Sequence, residues 1–192
     1  MADPQILRAA DRLATPWKNG LGVTREIAVH PPGAGLDDFD WRVSMATVDA
    51  GGPFSIFPGI DRILTVLEGR LSLSLDGAAP IELGPNSSPF AFPGDATVHA
   101  KLISGPVTDL NAMTRRGRVQ ATVERLMIDA PIEITVSSTA IILTRTDGLR
   151  VRYGELSETL RMNDAVRCDD AAGGTVSLEP QRHAILFAVR LS

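Results

Sequence analysis

Apolar residues recur at every second position through most of this chain, and that period belongs to strands rather than helices. Leu71, Leu73 and Leu75 alternate with Ser72, Ser74 and Asp76, which gives one face for a core and one for solvent or a cavity. Glu68-Gly69 and Asp76-Gly77 carry turn chemistry at either end, so the pattern predicts a hairpin over residues 63–75. A second hairpin is predicted over residues 140–153, where AIILTRT and LRVRY flank Asp147-Gly148. Further strands are predicted at residues 23–29, 41–48, 89–92, 98–103, 107–113, 132–136, 175–178 and 184–191. Helix is expected only as a turn or two over residues 4–13 and 123–128, because neither stretch joins a capping residue to a periodic apolar stripe.

Two runs of strands, each built around a Gly turn, imply an all-β antiparallel sandwich or barrel with two related halves. The expected organisation is one compact unit over residues 1–192. Its first half is residues 15–117 and its second is residues 118–192, an arrangement that lets N-terminal strands exchange between halves. No motif is shared between the halves. The distinctive polar residues concentrate in the first, while the second reads as alternating strands with acidic loops such as Cys168-Asp169-Asp170. Function is therefore expected in the first half.

Composition narrows the class of partner. In 192 residues, 44% are hydrophobic and 22% charged, as in ordinary globular proteins. A net charge of -4 with scattered Lys and Arg gives no electrostatic footprint for nucleic acid or an anionic membrane. No apolar run approaches the roughly 20 residues that cross a bilayer, and MADPQILRAADRLATPW lacks a basic-then-apolar leader, so a cytoplasmic location is expected. The single cysteine, Cys168, excludes an internal disulfide. His30, His99 and His183 are scattered, so neither a metal triad nor a cofactor is expected.

Four segments stand out: WKNGLGVTREIA from Trp17, FDWRVSMATV from Phe39, GPFSIFPGIDRILTVLEG from Gly52, and FPGD at Phe92 with GPVTDLNAMTRRG from Gly105. In this order and spacing the chain resembles the HutD/Ves family of cupin-like proteins, most densely between Trp17 and Gly117. The resemblance implies a double-cupin (bicupin) all-β fold without the usual metal site. It also implies an association, in some members, with histidine utilisation. The cupin pattern His-x-His, three or four residues, Glu, six residues, Gly can be anchored on Gly69. Arg62 then stands in the Glu slot, with Ser55 and Phe57 in the His slots. A guanidinium ligates no cation but donates a planar fork of N–H groups, which favours a carboxylate or phosphate. At Leu21 the chain departs from the WKNGG usual in the family, and leucine resists positive φ. His99 falls one residue past the ligand slot of a second cupin motif, and that offset points it to the opposite face.

Strand parity groups the polar residues. Arg42 and Ser44 oppose Trp41, Val43 and Met45; Asp109, Asn111 and Met113 oppose Leu110 and Ala112; Val23 and Arg25 oppose Thr24 and Glu26. With Asp61 and Arg62 at a strand start and the Lys18-Asn19 loop, these would line a barrel mouth. Arg25, Arg42 and Arg62 suit a carboxylate, Asn19 and Asn111 an amide or formamido group, and Phe54, Phe57 and Met113 apolar walls. Plainer alternatives stand beside this. Arginines on a sheet face are often solvated or paired, Asp61-Arg62 could be an ion pair, Trp17 and Trp41 could be core, and Arg115-Arg116-Gly117-Arg118 reads first as a solvated turn.

The expected function is thus a metal-free, non-catalytic, regulatory protein that binds a small carboxylated metabolite, in histidine or amino-acid catabolism as the resemblance implies. The alternative is a metal-independent isomerase or lyase, with Lys18, Glu26, Asp61, Asp109 and His99 as candidates to move a proton. Edge strands also allow a homodimer.

Overall fold

The structure is a computed structural model that describes residues 4–17, 19–169 and 173–192. These form β1 (Gln5–Leu7), a 3-10 turn (Ala9–Asp11), β2 (Ala14–Pro16), β3 (Gly22–His30), β4 (Trp41–Val48), β5 (Gly52–Pro53) and β6 (Ile60–Leu75). There follow β7 (Ile81–Leu83), β8 (Phe90–Pro93), β9 (Val98–Arg115), β10 (Ala121–Ile128), β11 (Ile132–Val136) and β12 (Thr139–Thr144). The last are β13 (Leu149–Tyr153), β14 (Leu156–Leu160), β15 (Ala165–Asp169), β16 (Gly174–Pro180) and β17 (Ala184–Leu191). Every pairing among them is antiparallel. Among the described residues no helix is long and apolar enough to cross a membrane.

The chain divides into two units, one of Leu13–Gln120 and one that joins the N-terminal segment through Arg12 to Ala121 onward. In the latter, the sheet β1-β15-β12-β17-β10 faces the sheet β11-β16-β13-β14. Ile142, Val166 and Leu186 of the first sheet share one buried core with Leu149, Val151 and Leu178 of the second. The N-terminal strand β1 lies at an edge of this unit, paired with β15. Asp164 fastens the following turn, accepting from Ala9 N–H at 2.7 Å and pairing with Arg8 at 3.0 Å.

Leu13–Gln120 forms a sheet in the order β2-β3-β4-β9-β6-β7, with β5 on β9 and β8 on β6. Two expected features are corrected here. The hairpin over residues 63–75 is a single strand, because Glu68-Gly69 makes a bulge instead of a turn: register shifts at Val66/Glu68, Glu68/Arg70 and Arg70/Leu71. Gly69 takes φ 75°, and a Cβ there would stand 2.5 Å from the Pro106 carbonyl oxygen. Opposite it, the segments predicted at 98–103 and 107–113 are one strand, β9, bent at Gly105 (φ 59°). These two long strands pair along their length and carry the unit.

The second predicted hairpin is also corrected. Asp147-Gly148 does turn the chain, but β12 lies in the five-stranded sheet and β13 in the four-stranded one, so the turn links two sheets. The hairpin proper is β13 with β14, closed at Gly154 (φ 56°). Residues 123–128 are strand, not helix. Val123, Leu126 and Met127 fit either period, and pairing of β10 with β17 from Ala121↔Leu191 to Ile128↔Ala184 decides it. Of the helix expected over residues 4–13, a three-residue 3-10 turn remains.

Candidate functional site

One face of β3, β4, β9 and β6 floors a cavity of about 700 Å³. The register sets its rows. Arg42 on β4 and Arg62 on β6 both stand opposite Met113 of β9; Ser44 and Leu64 flank Asn111; Ala46 and Val66 flank Asp109. Period two brings all these side chains to the same face. The walls come from β2, from Trp17 and Asn19, from Leu36 and Asp37, and from residues 53–58.

The 53–58 segment is held by backbone bonds from Phe54 N–H to the Val98 carbonyl (2.9 Å) and from Phe57 N–H to the Gly94 carbonyl (2.8 Å). Gly94 must be glycine for this approach, since a Cβ would lie 2.8 Å from the carbonyl oxygens of Ile60 and Phe57. The anchored phenyl rings enclose Arg62. Its guanidinium carbon lies 5.2 Å from the Phe54 ring centre, 5.5 Å from Phe57 and 5.0 Å from Phe92. Arg62 is only 6% exposed, its Nε has no hydrogen-bond partner among the described residues, and its Nη1 reaches the Ser55 carbonyl at a long 3.5 Å. Burial pulls its pKa down to about 10, against the pull of Asp109.

Asp109 is the second unusual group. It is 3% exposed, and among the described residues no hydrogen bond or ion pair reaches its carboxyl. Burial raises its pKa to about 7, a rise that the charge of Arg62 opposes. Beside it the Oδ1 of Asn111 is buried and without a partner. A second cation on the floor, Arg42, is paired with Glu26 at 2.7 Å.

The rim is braced by hydrogen bonds. Arg115 donates to the carbonyls of Phe39 (3.0 Å) and Asp37 (2.9 Å), and Trp17 Nε1 donates to Thr24 Oγ1 at 2.7 Å. Leu36 and Ile56 remain 54% and 57% exposed at the mouth.

The HutD family profile matches residues 9–186. This chain belongs to the HutD family. It is 38% identical over 144 residues, 74% of each chain, to an uncharacterised 21.2 kDa protein in the hutC 3′ region of Pseudomonas putida. It is 45% identical over 109 residues, 56% of each, to protein Ves of Citrobacter koseri. The structure of HutD from Pseudomonas fluorescens SBW25 superposes with TM-score 0.83 at 32% identity, over 99% of this chain and 100% of that one. A cupin 2 conserved barrel domain protein from Leptotrichia buccalis, at 6% identity and TM-score 0.63 over 100% and 97%, shares the fold.

Within this HutD-family site, the residues singled out by parity and motif divide clearly. Asn19, Arg42, Ser44, Phe54, Phe57, Arg62, Asn111 and Met113 all line the cavity. Arg25 does not, because its partner across β4 is Met45, on the opposite face from Ser44 and Ala46; it is exposed. Asp61 also leaves the site: as the neighbour of Arg62 it faces the other way and pairs with Arg116 at 2.8 Å instead of with Arg62. Lys18 lies outside the described residues.

The Leu21 departure is absorbed by its neighbour. Gly20 takes the positive φ (71°), and Leu21 N–H donates to Asn19 Oδ1 at 3.1 Å. Val98 is buried and His99 exposed, as the one-residue offset requires. Arg116 and Arg118 make ion pairs with Asp61, Asp95 and Asp40.

Parity aligns Asp109 with Asn111 and Met113 and offers it as a proton-moving candidate, but nothing local in the sequence marks it as a ligand-binding group. Leu36 and Ile56 carried no periodic signal, since their place depends on how loops fold over the sheet, whereas Arg115 ends β9 with the parity of Met113 and could have been found by it.

Proposed function

We propose that the cavity binds a small carboxylated metabolite, with Arg62 as its principal anchor. The observation that supports this is a buried guanidinium, framed by three phenyl rings in a cavity, with Nε unsatisfied and no carboxylate paired to it among the described residues. A buried cation without a counter-ion is costly, and an entering carboxylate would supply both charge and acceptors. Arg42 adds positive potential on the same row, tempered by Glu26. The role is binding and regulation within amino-acid breakdown; the Pseudomonas putida relative, described by its place beside hutC, supports that setting.

Melting curves with a panel of amino-acid-derived acids, urocanate and formylglutamate among them, test the reading, because a ligand of the folded state raises stability by mass action. Arg62→Gln should weaken the selected acid by about 1.5–3 kcal/mol, roughly 10- to 150-fold. Unchanged affinity would remove Arg62 from the reading.

Asp109 favours a second reading. A cavity carboxyl with pKa about 7 can give and take a proton near neutrality, as a metal-independent isomerase or lyase would need. Incubating the selected acid with protein and following its proton spectrum distinguishes turnover from binding.

A further inference from the structure

The cavity floor has two unlike ends. Both arginines stand on the Met113 row, whereas Asp109 lies four residues along β9, about 13 Å away at the backbone by the rise of an extended strand. No ion pair joins Asp109 to Arg62, although each senses the other's field. The groups that face Asp109 across the ladder are Ala46 of β4 and Val66 of β6, which carry neither charge nor hydrogen-bonding side chains. On the next row is the unsatisfied Oδ1 of Asn111. One end therefore offers N–H donors, and the other offers acceptors for which the described residues supply no donor.

We infer that this cavity is built for a bifunctional ligand, a small acid whose carboxylate meets Arg62 and whose far end carries a protonated nitrogen for Asp109 and Asn111. The inference rests on the carboxylate reading above and adds the second pole to it. A buried carboxyl without a partner and a buried amide oxygen without a donor are each costly, and one ammonium or amidinium group satisfies both. An unsubstituted acid of the same length leaves both unmet and should bind more weakly. Since burial holds much of Asp109 protonated at neutral pH, an arriving cation displaces that proton, so binding releases protons near pH 7. Arg42 of β4, Glu26 of β3, Arg62 of β6 and Arg115 at the end of β9 are the other charged groups that the floor strands carry on this face, and Asp37 stands at the rim. Glu26 and Arg42 are paired with each other, which leaves Asp109 as the carboxyl open to an arriving cation.

Titration calorimetry tests this with two matched series: 4-aminobutyrate, 5-aminopentanoate and 6-aminohexanoate against butyrate, pentanoate and hexanoate. At least one amino acid should bind more than about tenfold tighter than its unsubstituted partner, as a charge-assisted pair implies. Its apparent enthalpy at pH 7 should vary with buffer ionisation heat in the sense of proton release. Asp109→Asn should abolish both the preference and the proton release while leaving the plain acids bound, and Arg62→Gln should weaken both series alike. Equal binding of the two series, or a preference that survives Asp109→Asn, overturns the second pole and leaves the carboxylate site standing. Failure of every compound to bind wild-type protein refutes the carboxylate site and this inference with it.

Discussion

Asp109 makes a prediction about stability that needs no ligand. Its folded pKa of about 7 exceeds the ordinary 3.8, so between these values the folded state holds a proton that the unfolded chain has lost. Stability must then fall as pH rises, the reverse of the usual carboxylate effect. At 1.36 kcal/mol per unit, the group costs the fold about 1.6 kcal/mol at pH 5 and about 4 kcal/mol above pH 7. Asp109→Asn keeps the shape and removes the charge. The variant should gain on wild type by about 2.5 kcal/mol more at pH 8 than at pH 5. Urea unfolding followed by tryptophan fluorescence is the suitable assay, because both tryptophans, Trp17 and Trp41, lie in the same unit as Asp109. Other titrating groups cancel in the difference between the two proteins. Equal pH dependence in wild type and variant would refute a desolvated, unpartnered Asp109.

Other expectations concern the frame around the site. Gly69→Ala should destabilise Leu13–Gln120 by at least about 2 kcal/mol in the same urea assay, because it meets both a positive φ and a fixed carbonyl oxygen. In the other unit, burial would raise the pKa of Asp164, but the N–H groups of Ala9 and Arg161 together with Arg8 outweigh it and hold the carboxyl below its usual range. Its contribution is complete above the unfolded pKa near 4 and is lost as pH falls through the folded value. Asp164→Asn should therefore cost about 1.5–3 kcal/mol at pH 7 and less in acid, read as a shift in thermal unfolding by circular dichroism. Phe57→Leu keeps an apolar wall but removes one ring from Arg62, and should weaken carboxylate affinity by about 0.5–2 kcal/mol in calorimetry without loss of fold.

Much of this molecule was legible in its residues. Alternation of apolar and polar side chains fixed the class of structure, because a strand alternates faces wherever it lies. The same alternation grouped Arg42 with Ser44 and Asn111 with Met113, and each pair does share the cavity floor. Parity also contained the case against Asp61, which cannot face the same way as Arg62. What local pattern could not resolve was whether a glycine between two apolar runs reverses the chain or only bends it. Gly69 bulges within β6 because β9 runs alongside to receive both halves, while Gly154 closes a hairpin because β14 returns beside β13.

Sequence alone thus determined that the chain is built of strands and which faces Arg42, Ser44, Asn111 and Met113 share, since each depends on neighbours a few positions away. Tertiary structure alone decided that Arg62 sits within three rings from two separate segments, and that Asp109 is enclosed without a partner among the described residues. It also decided which loops rim the cavity. Desolvation is a property of everything that surrounds a group, and those surroundings come from residues far apart in the chain.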